Sequence, residues 1–177
     1  MTNYWLMKSE PETYSIDDLA AQPRKTDHWD GIRNYQARNI MRDECKKGDG
    51  VLFYHSRIKE PAVVGLATIV RSSYPDHTQF DSSSRYYDPK ATQEAPRWFM
   101  VDVEFVSKAR EQLSLPDIKA DPALSETQLL ERPRAVSFRA ALRHQQWGEY
   151  EVLRQRTPAV LQADLLLGAG GQHDDPR

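Results

Sequence analysis

The sequence predicts an α+β domain, a mixed and largely antiparallel β-barrel with short helices packed outside. Three observations carry this. Strand-like runs at 3–8, 51–56, 62–71 and 97–106 are interspersed with short helical patterns. There is no βαβ rhythm and no internal repeat, which leaves an antiparallel or mixed sheet as the way to bury those runs. At 177 residues the chain fits one domain that buries roughly 70% of its unfolded surface, enough to fold without metal or disulfide.

Residues 3–8 are apolar on both faces, as in a covered or closed sheet, and Pro11 ends that strand. Ser15 followed by Asp18 reads as an N-cap with an acid three residues on, opening a short helix through Leu19 and Ala20. A second helix is expected from about Asn34 to Cys45. Its apolar positions Ala37, Ile40, Met41 and Cys45 fall at helical spacing, with Arg38 and Arg42 sharing another face. Gly48-Asp49-Gly50 makes a turn into the strand at 51–56. The Val/Ile-rich strand at 62–71 carries Gly65 as a bulge or bend.

Residues 72–96, with Pro75, three consecutive serines (82–84) and Pro89, read as a long loop of the kind that is functional or disordered. In the strand at 97–106, Phe99, Val101, Val103 and Phe105 share a face, and Pro116 opens a short helix at its first position. A last strand is expected near 134–139, a helix around Gln145 to Leu153, another from Thr157-Pro158 to Gly168, and a disordered tail from Ala169. The domain is set at 1–155, with 156–177 a partly disordered extension.

Bulk composition excludes several classes. The net charge of −2 gives no field that gathers duplex DNA nonspecifically. Between Arg33 and Lys47, however, five bases face two acids, a surplus suited to one or two phosphates. The single Cys45 cannot form an internal bridge, Lys8 and Glu10 interrupt any signal-like start, and no run approaches the ~20 apolar residues of a membrane span. The expectation is a soluble cytoplasmic protein, a monomer by preference.

Catalytic constellations are missing from the sequence. The five histidines have no short metal-ligand spacing; His28 and Asp30 could share a cluster, but nothing downstream completes it, so no metal and no cofactor are expected. There is no nucleophile elbow, phosphate loop or dinucleotide fingerprint. Asp17 and Asp18 read as helix-start charges, and Cys45 as a small apolar residue of the second helix.

The most informative stretch is WDGIRNYQAR, residues 29–38, which gathers a tryptophan, a tyrosine, two arginines and two amides around Gly31. Aromatic faces stack on planar heterocycles, amides read their edges and arginines hold phosphate.

That stretch, extended to WDGIRNYQARN (29–39), also carries a family resemblance, together with YWLMKSEP (4–11), GD-x-VLFYHS (48–56) and VVGLA (63–67). SYPD (73–76), YYDPK (86–90), PRWFMVDV (96–103) and IKADPAL (118–124) extend it. These segments resemble the EVE domain, a PUA-like family related to the YTH readers of methylated adenine. The resemblance implies a PUA-like β-pseudobarrel with a pocket for one nucleobase, preferring modified cytosine or adenine. It also implies that the Lys8-Ser9 backbone and Asp30 contact the base edge. The stretch from Arg134 to Arg139 and Gln146-Trp147 departs from the family's usual closing strand and helix.

A flipped base has to regain a few kcal/mol of lost stacking and pairing, and one aromatic platform returns roughly 1–3 kcal/mol. Trp29 is the first choice of wall, opposed by Tyr54 or a tyrosine at 86–87. Lys8, Ser9 and Glu10 supply edge donors and acceptors, Asn34, His55 and Ser56 adaptable hydrogen bonds. Arg33 and Arg38 would hold the flanking phosphate. The sequence therefore points to a non-enzymatic binder of a flipped, modified nucleobase in DNA or RNA. The alternatives are an enzyme acting on modified bases, with His55 or Glu10 as acid or base, and a small-molecule or nucleotide sensor.

Overall fold

The computed structural model describes residues 3–120 and 137–140. Six strands form one sheet: β1 (Tyr4–Ser9), β2 (Thr26–Trp29), β3 (Gly50–His55), β4 (Ala62–Pro75), β5 (Phe99–Ser114) and β6 (Ser137–Ala140). Their spatial order is β2-β5-β4-β3-β1-β6. Every pairing is antiparallel except β1 with β3, which run parallel with Lys8 opposite Tyr54 and Ser9 opposite His55. The sheet is open, with β2 and β6 at its edges. Repeated register shifts between β4 and β5, beginning at Val63/Gly65, bend the two long strands. Gly65 is required there because a Cβ would lie 2.5 Å from the Ser107 carbonyl.

The helices form where the sequence places them. Helix α1 (Ile16–Ala21) starts with a reciprocal capping box between Ser15 and Asp18. Helix α2 (Tyr35–Asp43) is capped by Asn34, whose side-chain oxygen accepts the Ala37 N–H at 3.0 Å. Before α3 (Leu115–Ala120), Ser114 and Asp117 exchange hydrogen bonds, so Pro116 falls at the second position of the helix instead of the first.

Strand alternation divides the apolar residues between two faces. On one, Trp5, Met7, Val51 and Phe53 pack with Ile16 and Leu19 of α1 and with Ala37 and Met41 of α2. On the other, Leu6, Leu52, Tyr54 and Val63 pack with Ile118 of α3. Buried Asp49 ties the first face together, accepting from the Trp5 indole at 2.8 Å and from the Asn3 and Lys46 amides at 3.0 Å.

Several readings change, among them the strand expected at 97–106, which is β5 (Phe99–Ser114). Residues 26–29 form a strand, β2, that polar residues did not announce. Strand β4 continues to Pro75, so the loop begins later and includes a 3-10 turn at His77–Phe80. The last strand is Ser137–Ala140, shifted from 134–139. The helices expected at 145–153 and 157–168, the tail, and the 156–177 extension lie outside the described residues.

Candidate functional site

The parallel pairing brings the ends of β1 and β3 side by side, and alternation then decides which side chains can meet. Trp29 belongs to the Phe53 face: it is 8% exposed and meets the Phe53 ring edge-on at 5.3 Å. His55 also meets the Phe53 ring edge-on, at 5.7 Å. Tyr54 and Lys8 point to the opposite face, where the Lys8 ammonium lies 5.8 Å from the Tyr54 ring and burial lowers the lysine's pKa. Tyr54 therefore cannot be the wall opposite Trp29, and the Lys8 side chain does not join it.

Much of the β1/β3 end is internally committed. The His55 Nε2 accepts the Ile16 N–H at 3.2 Å, which ties α1 to the sheet and fixes an unprotonated nitrogen; burial pushes the imidazole pKa down. Ser9 donates its hydroxyl to the Tyr14 carbonyl at 2.6 Å, and its own carbonyl accepts the Ser56 amide at 2.8 Å and the Ser56 hydroxyl at 3.3 Å. Glu10 pairs with Arg57 at 3.0 Å. Asn34 spends its oxygen on the α2 cap.

Arg33 departs most from expectation. Its Nε and Nη2 both donate to the Tyr86 carbonyl (2.9 and 2.5 Å), Nη1 donates to Ile32 O and Asp76, and Nη2 also reaches Thr78 Oγ. Five bonds engage the five guanidinium N–H groups. The cation also lies within reach of the Tyr86 and Trp98 rings, at 5.2 and 5.3 Å from their centroids. Asp76 is fully buried. Burial alone would raise its pKa, but the bonds from Arg33, Thr78 and the Gly31 amide hold it below the usual carboxylate range. Arg33 is an internal clamp, not a free phosphate contact.

What the clamp positions is the 84–87 segment. Gly31 has φ of +73°, and a Cβ there would lie 2.6 Å from the Tyr86 ring. The phenol thus covers Gly31, directly after Trp29 and Asp30. Arg85 stacks over the Tyr86 ring at 4.6 Å, donates to its hydroxyl, and feels the Glu10 and Asp30 carboxylates. Asp30 is half-buried; burial raises its pKa, with the neighbouring Asp76 charge adding to the effect and His28 opposing it. Gly31, Tyr86 and Arg85 therefore pack together, with the Glu10 and Asp30 carboxylates within electrostatic reach of Arg85. Of the tyrosines expected to oppose Trp29, Tyr86 packs on Gly31, two residues along the chain from Trp29. Asp76 could not be read from the sequence because its partners Gly31 and Arg33 lie 45 and 43 residues away along the chain.

The exposed face of α2 carries a second aromatic-cationic group. Tyr35 is 51% exposed and stacks on Trp98 at 5.0 Å. Arg38 lies 4.9 Å from the Tyr35 ring, with Nε on Asn39 and Nη1 on the Arg97 carbonyl. Arg42 pairs with Asp43 at 2.7 Å. With Arg33 paired to Asp76 and Arg42 to Asp43, the bases of this run outside those ion pairs are Arg38, Lys46 and Lys47.

Two chemical questions have definite answers. Burial pushes the Cys45 thiol up to about 12, so it is an inert core residue. His28, Asp30 and His77 place ligand atoms within 4.8 Å of one another. The histidine that completes the pair near residue 30 is downstream after all, brought in by the turn after β4.

The family model described as EVE domain matches residues 3–149. The chain belongs to the EVE domain family. Thymocyte nuclear protein 1 of Mus musculus is 49% identical over 128 residues, which are 67% of this chain and 56% of that protein. The chain thus matches little more than half the length of such curated relatives. Among solved structures, a hypothetical protein from Leishmania major superimposes with a TM-score of 0.78 at 45% identity, over 88% of this EVE chain and 95% of that one. A structure of human THYN1 protein in complex with 5-methylcytosine-containing DNA superimposes with a TM-score of 0.78 at 38% identity, over 88% and 98%. These matches bear out the predicted PUA-like architecture of this EVE chain. Among the described residues, no helix is long and apolar enough to cross a membrane.

Proposed function

We propose that this chain binds DNA carrying a modified cytosine, accepting one flipped base beside Trp29 without chemical turnover. The observation that carries the reading is the human THYN1 structure with 5-methylcytosine DNA, aligned over nearly its whole length with this chain. The local chemistry is consistent with it. Asp30 offers an acceptor to an exocyclic amine, Tyr86 packs on Gly31, and Trp29 lies two residues before it. With only 8% of Trp29 exposed in the free protein, entry of a base requires the residues that cover the indole to shift outward. Arg38, beside exposed Tyr35, takes the phosphate role that Arg33 cannot.

A base-processing enzyme needs a free acid or base. His55 has its Nε2 occupied by Ile16 and Glu10 pairs with Arg57, which leaves Asp30, with its raised pKa, as the one specific argument for catalysis. Residues 1–155 are taken as the binding domain. The test is fluorescence anisotropy with matched duplexes containing cytosine or 5-methylcytosine, followed by nucleoside analysis of the incubated DNA. The reading predicts tighter binding of the methylated duplex and unchanged base composition. Equal affinity for both duplexes, or a released or altered base, refutes it.

A further inference from the structure

The geometry points to a divalent transition-metal site formed by His28, Asp30 and His77, with zinc(II) as its first occupant. The His28 Nε2 and the Asp30 Oδ2 are 3.6 Å apart. Two ligands of a tetrahedral zinc at about 2.0–2.2 Å are separated by roughly 3.4 Å. His77 meets the His28 ring edge-on at 5.1 Å, and all three ligand atoms fall within 4.8 Å. A shift of about an ångström in an exposed imidazole closes the set, an estimate drawn from the same ligand distances.

The surroundings of His28 supply an independent argument. Its Nδ1 lies 3.0 Å from the Asp27 Oδ1, the carboxylate partner that orients metal-bound histidines. Asp27 is itself fixed by the Tyr14 hydroxyl at 2.7 Å and the His28 amide at 2.8 Å.

Both ligand-bearing segments are held. His28 pairs with Asp102 in the sheet, and His77 opens a turn capped by the clamped Asp76. Two imidazoles and one carboxylate suit zinc, nickel or copper and disfavour magnesium and calcium, which take oxygen ligands. Three protein ligands leave a fourth position open to water or an incoming group. His28 and His77 are exposed, so an ion reaches the cluster from solvent.

The experiment is calorimetric titration of zinc chloride into the tag-free, chelator-stripped full chain, with cobalt(II) absorption as a second readout. One ion per chain is expected. His28→Ala and His77→Ala should each weaken binding at least tenfold, Asp27→Asn should weaken it by roughly tenfold, and His173→Ala should leave it unchanged. Circular dichroism of each variant establishes that it is folded. Absence of stoichiometric binding, or wild-type affinity in both His28→Ala and His77→Ala, overturns the assignment.

Discussion

Replacing Arg33 separates the two roles available to that residue. Arg33→Ala removes the charged partner of Asp76, which has no exposed surface, while Arg33 itself is 22% exposed. Breaking a buried pair from one side costs about 3–5 kcal/mol. Asp76 keeps the Gly31 amide at 3.0 Å, the Thr78 amide at 2.8 Å and the Thr78 hydroxyl at 2.5 Å, which places the loss near the lower end, about 3 kcal/mol. For a domain of this size each kcal/mol lowers Tm by roughly 2–4 °C, so the thermal midpoint should fall by ~6–12 °C. Arg33→Lys keeps the charge but loses the fork to Tyr86 and Thr78, and should recover only part of that. Thermal unfolding by circular dichroism reads the stability, and salt-dependent anisotropy reads the phosphate contacts. A midpoint within about 2 °C of wild type, with the salt slope reduced by roughly one charge, would mean that Arg33 serves DNA and that the clamp is unimportant.

Other perturbations address neighbouring parts of the site. Gly31→Ala forces a side chain into left-handed backbone, costing roughly 1–2 kcal/mol, and pushes on the Tyr86 ring. A lower urea midpoint and weaker oligonucleotide binding should appear together, and an unchanged midpoint would contradict the packing described. His55 has its pKa held below the ordinary 6.5 by burial, so the unfolded chain takes up the proton first. Stability is then complete above about pH 6.5 and declines as pH falls through the lowered folded value. His55→Gln keeps an acceptor for the Ile16 amide and should flatten that decline in denaturant titrations at pH 7.5 and 5. An identical pH dependence in both proteins argues that the imidazole is not buried neutral. Asp49→Ala strands the buried Trp5 indole N–H and should cost at least ~1–3 kcal/mol by the same unfolding assay.

Local chemistry made much of the fold legible. Ser15 with Asp18 and Asn34 before Tyr35 signalled helix starts, because a cap is satisfied within four residues. Gly65 in a Val/Ile run signalled the bulge, since only a missing side chain allows so close a carbonyl. Strand β2 was hidden because Thr-Asp-His-Trp is polar and short; its pairing with β5 defines it. The faces were partly readable. Phe53 and Tyr54 are neighbours in a strand, so one of them had to point away from whatever Trp29 packs on. Arg33, Asp76 and Tyr86 were not readable together, because 43 and 53 residues separate the partners and only the turn after β4 unites them. The same turn delivers His77 to His28 and Asp30, which sequence spacing could not reveal.

The claim on which the functional account rests is that the Trp29 indole forms one face of the base site as well as part of the core. Trp29→Phe preserves most of the packing against Phe53 while shrinking the platform. Anisotropy with a 5-methylcytosine duplex, on protein shown by its melting curve to be folded, measures this directly. The account predicts a loss of at least fivefold in affinity for the methylated duplex, the lower end of about 1–3 kcal/mol of stacking per base, with little change for the unmodified one. Wild-type discrimination between the two duplexes in the folded variant would contradict it.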